Sequence, residues 1–169
     1  MKNTVEYRLI SAHYGDRTAK RSGVRLMNHI DEGLIILDAI SATEASKKAF
    51  CLHPLLQADA DLKDNAYMVS FVEPHVLLLT MEYRNIANAY LSDKIDTDQE
   101  LKLSPLFEVN DMLAVDKVQN TKDFMTYHYG THPRSEQLKR YFQKWLKALT
   151  VDNWGYQRLC ERIDNERTN

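Results

Sequence analysis

The sequence predicts an all-α fold of seven or eight helices, and three observations lead to this expectation. Apolar residues recur at intervals of three and four over most of the chain, which is the period of an amphipathic helix. Only 5 glycines and 4 prolines occur among 169 residues, whereas β-sandwiches and β-barrels need many turn residues. The segments that connect these periodic stretches are short. The length fits one domain, or barely two, with a core that needs no disulfide or structural metal.

The first third of the chain contains three predicted helices separated by clear stop signals. A first helix fits residues 2–13, and a polar stretch that ends in glycine separates it from the next. Residues 24–42 carry a wide apolar face and predict a long second helix. Thr43 is the expected N-cap of a third helix over residues 44–53. Pro54 is expected to stop or kink that helix.

The rest of the chain predicts four or five further helices. Pro74 occupies a position that the first turn of a helix tolerates, and Gly130 with Pro133 ends a later helix. The expected order is a solvated connection over residues 59–64, a short helix over 65–72, a strongly helical stretch over 76–91, a surface loop over 92–104, a long helix over 109–129, and two final helices over 135–149 and 152–162.

Charge and composition speak against several classes of protein. The 22 basic and 24 acidic residues give a formal net charge of −2, which is not the basic footprint of a nucleic-acid-binding protein. The two cysteines are far apart and match no zinc or disulfide pattern. The first residues lack the apolar core of a secretory signal, and no apolar stretch approaches the ~20 residues that cross a bilayer. We therefore expect a soluble, cytoplasmic protein with no membrane partner.

Histidine is the most informative residue type for chemistry, with 6 in the chain. His29 lies on the apolar face of the second predicted helix, and His53 ends the third. Asp116 lies among apolar residues in a later helix, where burying a carboxylate is costly unless a cation or donor compensates it. Two imidazoles and one semi-buried carboxylate make half of a metal site. The alternative is that these residues only cap helices and face solvent, and spacing alone does not decide between the two.

Three short segments, in order along the chain, resemble one family of hydrolases. Residues 12–29 contain a histidine, a basic pair, a Ser-Gly turn and a second histidine six residues after the glycine. Residues 49–53 end in Leu-His after small and apolar residues, and residues 115–120 read Val-Asp-Lys-Val-Gln-Asn. These segments resemble the HD-type hydrolase domain of the RelA/SpoT alarmone enzymes and the small alarmone hydrolases. The resemblance spans residues 12–120 and implies a single HD-like helical bundle, with the helices of residues 135–165 packed on it.

The resemblance also implies what the site binds and does. Lys20 and Arg21 correspond to residues beside the nucleotide base or its phosphates, and Asn120 corresponds to a residue that contacts the sugar. The implied partner is a phosphorylated nucleotide such as a guanosine polyphosphate. The implied reaction is phosphohydrolysis that depends on manganese or a similar divalent ion. The implied metal ligands are His29, His53 and Asp116.

The sequence departs from the family where the family reads His-Asp-x-x-Glu-Asp. Here the run is His-Pro-Leu-Leu-Gln-Ala, with Pro54, Gln57 and Ala58 in place of three acids. Gln57 is able to orient a water but not to accept its proton. Asp59 or Asp61, just downstream, would have to complete the metal site. The candidate catalytic residues are therefore Gln57 and these two aspartates.

Two alternatives stand beside the hydrolase. One is an HD-fold protein without catalysis that binds a nucleotide or a protein. The other is a helical nucleic-acid-binding protein that uses the basic side chains of residues 134–147. For that helix, an apolar face packed on the core with a solvated basic back is the simpler interpretation. The near-neutral net charge makes nucleic acid the least favoured partner.

Overall fold

The computed structural model describes residues 1–92 and 100–167, apart from the side chain of Val69. These residues form eight α-helices and no β-strand, which confirms the predicted all-α fold. A 3-10 helix, Ala66–Phe71, lies between the fourth and fifth α-helices. In chain order the α-helices are α1 (Val5–Tyr14), α2 (Met27–Ala39), α3 (Glu44–Leu56), α4 (Asp59–Asn65), α5 (Pro74–Ala89), α6 (Phe107–Tyr127), α7 (Ser135–Ala148) and α8 (Asn153–Arg167).

Threonine side chains fix the start of two helices. Thr4 and Thr43 each accept a hydrogen bond from the backbone N–H three residues further on, which satisfies a donor that the helix leaves free. The predicted N-cap of α3 is therefore confirmed. The second helix begins at Met27, later than its apolar pattern suggests, because the preceding loop folds back on itself through a bridge between Thr18 and Arg25.

One prediction between α3 and α5 was wrong, and one of the two effects expected of Pro54 was wrong. The connection expected over residues 59–64 is helical and forms α4, whose acidic first turn interacts favourably with the positive end of the helix dipole. Pro54 does not stop α3, which continues to Leu56. A proline removes one backbone hydrogen bond from a helix, and burial of the neighbouring apolar side chains compensates for that loss here.

The loop predicted over residues 92–104 lies partly outside the described residues. Its described end, residues 100–104, contains no helix. Ser104 anchors that end, because its backbone N–H donates to the side chain of Asn110 and its hydroxyl donates to Glu82.

The core forms around α3 and α6. The first of these packs against α1, α2, α5 and α6, and the second packs against α2, α5, α7 and α8. Burying an aliphatic or aromatic side chain contributes roughly 1.5–3 kcal/mol, and each of these helices buries several. The largest fully buried side chains include Ile30, Phe50, Leu79, Met112, Tyr83 and Trp145.

A glycine allows α2 and α3 to approach closely. A Cβ atom placed on Gly33 would overlap the ring of Phe50 on the facing helix. Gly33 lies one turn after His29 and on the same face of α2. The close approach therefore brings His29 toward the last turns of α3, where His53 lies.

No helix among the described residues is both long enough and apolar enough to cross a membrane.

Candidate metal centre

Three helices that are distant in sequence bring His29, His53 and Asp116 together. The Nε2 atoms of the two histidines are 3.2 Å apart. Asp116 Oδ1 lies 3.5 Å from the Nε2 of His29 and 3.9 Å from the Nε2 of His53. The side chains of His53 and Asp116 are 3% and 6% exposed, whereas that of His29 is 20% exposed. The site is therefore buried on the side of α3 and α6 and open to solvent beside His29.

Gln119 determines which nitrogen of His29 carries the proton. Its Nε2 amide donates to the carboxylates of Glu32, at 3.1 Å, and Asp123, at 2.8 Å. The other end of the amide, Oε1, therefore faces His29 Nδ1 at 2.6 Å. A carbonyl oxygen only accepts, so neutral His29 carries its proton on Nδ1 and presents a lone pair at Nε2.

The backbone of α3 determines the same choice for His53. Its Nδ1 lies 2.6 Å from the carbonyl oxygen of Phe50, which accepts a hydrogen bond from the ring. In a regular helix that carbonyl would bind the N–H of residue 54, but Pro54 has none. Burial and the neighbouring His29 lower the pKa of His53 to about 3, so the ring is neutral at physiological pH. Neutral His53 also presents a lone pair at Nε2.

The three ligand atoms have the separations that a metal ion requires. A point equidistant from the three atoms lies about 2.1 Å from each, which matches the bonds that zinc and similar ions form with histidine and carboxylate. In a tetrahedral site with such bonds, ligand atoms are separated by about 3.4 Å. The observed separations of 3.2, 3.5 and 3.9 Å bracket that value.

Electrostatics favour a cation at this point. In the neutral tautomers, two lone pairs and a carboxylate oxygen face one another with no proton among them, which is unfavourable unless a cation lies between them. Burial is the largest influence on Asp116 and disfavours its charge, but Lys117 and the two histidines outweigh it and set its pKa to about 2. Asp116 is thus ionised at any physiological pH.

Two side chains of α6 hold the carboxylate of Asp116. Lys117 Nζ donates to Oδ2 at 2.6 Å, and Asn120 Nδ2 donates to Oδ1 at 2.7 Å. The Lys117 ammonium is itself buried and lies over the rings of Trp145 and Tyr141. The Lys117 ammonium thus offsets the charge of the Asp116 carboxylate and makes its burial tolerable.

A cleft of about 310 Å³ opens onto the three ligand atoms. Pro54 and Gln57 line this cleft. Asn120, which the resemblance implies contacts a nucleotide sugar, lines the cleft, and its amide donates to Asp116. Lys20 and Arg21 are exposed on the loop before α2, whose neighbouring residues Ala19 and Ser22 line the cleft, but they do not line it themselves.

The structure places the predicted catalytic aspartates elsewhere. Asp59 and Asp61 line a neighbouring open cleft of about 930 Å³ with Arg84, and Asp59 forms an ion pair with that arginine. Its carboxylate is otherwise almost completely exposed. Neither aspartate lines the cleft of the three ligands, so the structure brings together the predicted metal ligands and Gln57 but not these two carboxylates.

Four residues at or beside the centre were not predicted from the sequence. Lys117, Gln119 and Asp123 lie within one helical turn of the predicted residues Asp116 and Asn120, so the helical period could have placed them at the site. The sequence signal at Glu32 was an acid amid the apolar residues of α2, and the structure shows that this residue is buried.

The basic helix proposed for nucleic acid is α7. Trp145 on its apolar face is fully buried, and Leu146 packs against the core, as the simpler interpretation predicts. Lys139, seven residues before Leu146 and therefore on the same side of α7, is half-buried and lies over the ring of Tyr129.

Comparison of the chain with models of protein families, with curated proteins and with solved structures finds no match. The resemblance to HD-type hydrolases therefore stays a prediction.

Proposed function

We propose that this protein binds one divalent transition-metal ion through His29, His53 and Asp116 and acts on a phosphorylated nucleotide. The supporting observation is the triangle of ligand atoms, whose centre lies about 2.1 Å from each. Two imidazoles and one carboxylate suit manganese, zinc and similar ions. Three protein ligands leave a coordination position for water or substrate, as catalytic sites require.

The cleft offers complementary chemistry for a phosphorylated ligand. Such an ion polarises a phosphoryl oxygen and lowers the pKa of a bound water. Arg25 lines the cleft and carries a positive charge, and the preceding loop adds Lys20 and Arg21 nearby. The Gln57 side chain would orient a water, and Asn120 would keep the Asp116 carboxylate turned toward the ion. This set of groups supports a ligand with several phosphates, and the resemblance to HD-type hydrolases implies the guanosine polyphosphate class.

Metal binding and phosphate release test the proposal separately. Equilibrium dialysis against manganese and zinc should give one ion per chain, and His53→Ala and Asp116→Ala should bring this to zero. Phosphate or pyrophosphate release from guanosine polyphosphates and other nucleotides should be lost in the same variants. His75→Ala is the matched control, because His75 is an exposed histidine of α5 outside the cleft. Nucleotide hydrolysis that survives His53→Ala would refute the proposal.

A second candidate function, binding without hydrolysis, is favoured by the acids that the cleft lacks. Among the residues that line it, Asp116 and Asp123 are the carboxylates, and both are engaged with neighbouring side chains. Gln57 and Pro54 provide no base. If this candidate is correct, the protein will bind a phosphorylated nucleotide in the presence of metal, and the nucleotide will remain intact.

Pro54→Asp tests what a carboxylate at this position would contribute to metal binding and to hydrolysis. The Pro54→Asp variant should bind the ion about tenfold or more tightly than the Pro54→Ala variant. Both variants regain the same backbone N–H, so the difference in affinity reports the new carboxylate. Hydrolysis should stay near the wild-type level, since positions 57 and 58 still hold no acid. Metal titration and a phosphate-release assay on both variants provide the measurement. A strongly hydrolytic Pro54→Asp variant would show that the general base lies elsewhere.

A further inference from the structure

We infer that Gln119 is a positioning residue: it holds the His29 proton on Nδ1, and buried Glu32 holds Gln119 in the orientation that makes this happen. The inference rests on the proposed metal centre for its functional meaning. Its structural part, the location of one proton, is independent of any ion. The residues involved connect the ligand of α2 to α6 and to the end of α8.

The path from the ligand to α8 is a continuous set of hydrogen bonds. His29 Nδ1 faces Gln119 Oε1 at 2.6 Å, and Gln119 Nε2 donates to Glu32 Oε2 at 3.1 Å. Glu32 Oε1 in turn accepts from Arg167 Nη1 at 2.6 Å, and Lys122 donates to both oxygens. Gln119 is fully buried, and the Glu32 side chain is 3% exposed.

The charges of Glu32 and Asp123 leave Gln119 one favourable orientation. Its amide group lies between two carboxylates on one side and an imidazole on the other. A flipped amide would place its oxygen against both carboxylates and lose two donors, which is costly in a buried site. The oxygen must therefore face the imidazole, and neutral His29 must carry the proton at Nδ1.

Glu32 is buried and accepts hydrogen bonds from three side chains of α6 and α8. A buried carboxylate is costly unless cations and donors compensate it. Here Lys122, Arg167 and Gln119 do so, and Arg167 comes from the last turn of α8, 135 residues away. Oriented partners behind a metal-bound histidine fix its tautomer, and their loss commonly weakens metal binding about 10- to 100-fold.

His53 supplies an internal comparison. Its Nδ1 proton is held by the Phe50 backbone carbonyl, which no side-chain substitution removes. A change at Gln119 should therefore alter the tautomer of His29 and leave that of His53 as it is. A general loosening of the structure would affect both rings.

Long-range proton–nitrogen NMR correlation spectra of the metal-free protein, at mildly alkaline pH, report the tautomer of each ring directly. We expect Nδ1–H for both histidines in the wild type. In Gln119→Met, which has a similar shape but no acceptor, His29 should redistribute toward Nε2–H while His53 stays unchanged. In Gln119→Glu, which keeps an acceptor but places a charge beside Glu32, His29 should keep Nδ1–H although the thermal unfolding temperature falls.

Metal affinity, measured by cobalt titration with visible absorption, completes the test. Gln119→Met should bind cobalt about 10- to 100-fold more weakly than the wild type. Gln143→Met, the same change on the exposed side of α7, should bind normally. Wild-type His29 in the Nε2–H form, or a Gln119→Met variant with unchanged tautomer and affinity, would overturn the inference.

Failure of the proposed function gives a different pattern. A protein that binds no metal would still show the tautomers expected for the wild type and for the Gln119 variants. The wild-type spectrum also decides the location of the proton if Gln119→Met does not fold.

Discussion

Asp116 combines three roles in one buried carboxylate. One oxygen faces the two histidines, and the other accepts a short hydrogen bond from Lys117. Asn120 holds the first oxygen from the side. Because Asp116 and Lys117 are both buried, each is the charge that makes burial of the other tolerable.

Removing one partner of this pair should destabilise the protein strongly. Asp116→Asn leaves the Lys117 ammonium buried without a counter-charge, and we expect a loss of about 3–5 kcal/mol in the free energy of unfolding. Urea denaturation of the metal-free protein provides the measurement. Asp16→Asn is the control, because Asp16 forms an exposed pair with Arg25 and should cost less than about 1 kcal/mol.

A double-mutant cycle gives this prediction a second test. Asp116→Asn combined with Lys117→Met removes both charges and should recover much of the stability that each single change loses. Additive losses in the double variant would show that the two side chains do not compensate each other.

The pKa of His53 predicts acid sensitivity of the metal-free protein. The ring has an ordinary pKa of 6.5 in the unfolded chain and about 3 in the folded protein. Between these values the unfolded chain binds a proton that the folded protein excludes, so stability present above pH 6.5 is lost as the pH falls toward 3. The slope should reach about 1.4 kcal/mol per pH unit. The measurement is the free energy of unfolding in urea across this range, with a chelator present.

The depressed pKa of Asp116 acts in the same direction at lower pH, from its ordinary value of 3.8 down to about 2. His53→Asn, which does not titrate, should remove the slope above pH 4 that His53 contributes. His75→Asn, at an exposed site, should retain it. A wild-type protein whose stability is flat from pH 6.5 to 4 would contradict the prediction.

At the scale of elements, Pro54 has two consequences for α3. It places no side-chain oxygen beside His53, and it has no backbone N–H. The carbonyl of Phe50 is thereby left for the His53 ring, which takes it as a hydrogen-bond acceptor. Pro54 therefore supplies no carboxylate to the proposed metal centre, and it leaves the Phe50 carbonyl to accept from the Nδ1–H of His53.

The contact between α2 and α3 sets the spacing of the two histidines. Gly33→Ala would force the Phe50 ring to move, and that ring packs against His29 and His53, with ring centroids 5.5 and 4.7 Å away. We expect a loss of about 1–3 kcal/mol in the free energy of unfolding, as for other overpacked cores, and weaker metal binding. Urea denaturation and cobalt titration provide the two measurements.

Gly155→Ala in α8 is the matched control for this substitution. The nearest atom to its new Cβ is Asp152 Oδ1 at 3.1 Å, on an exposed side chain that shifts more easily than a buried ring, so the change should cost less than Gly33→Ala. Alanine tolerated equally at positions 33 and 155 would mean that the helices do not approach as closely as described.

At the scale of the whole molecule, the proposed ion joins three helices separated by up to 87 residues, from position 29 to position 116. A ligand that binds only the folded state stabilises it by mass action. At a manganese or zinc concentration one hundred times the dissociation constant, the free energy of unfolding should rise by about 2.7 kcal/mol. Thermal unfolding with and without metal, followed by addition of chelator, provides the measurement.

Variants of the proposed metal ligands serve as controls for the effect of metal. Asp116→Ala and His53→Ala should unfold at the same temperature with and without metal, whereas His75→Ala should behave as the wild type. An equal shift in all of these proteins would indicate that the ion binds elsewhere.

The helical fold could be predicted from the sequence because its signals are local. Apolar period, threonine caps and the scarcity of turn residues all act within a few positions, and they gave α1, α3, α6 and α7 nearly as the structure has them. The prediction of a loop over residues 59–64 was wrong because it too used local composition, which is polar there. Packing of Leu62 and burial of Asn65, which composition does not show, stabilise a helix.

The sequence by itself determined the helices and the chemical types of the three ligands. Only the tertiary structure decided that their atoms surround one point and that the Nδ1 atom of each imidazole faces a carbonyl oxygen. It also decided that Asp59 pairs with Arg84 away from the cleft. The physical reason is range: a helix forms from interactions within four residues, whereas a metal centre needs positions accurate to a few tenths of an ångström across helices. That accuracy comes from packing such as Gly33 against Phe50 and from the network through Gln119.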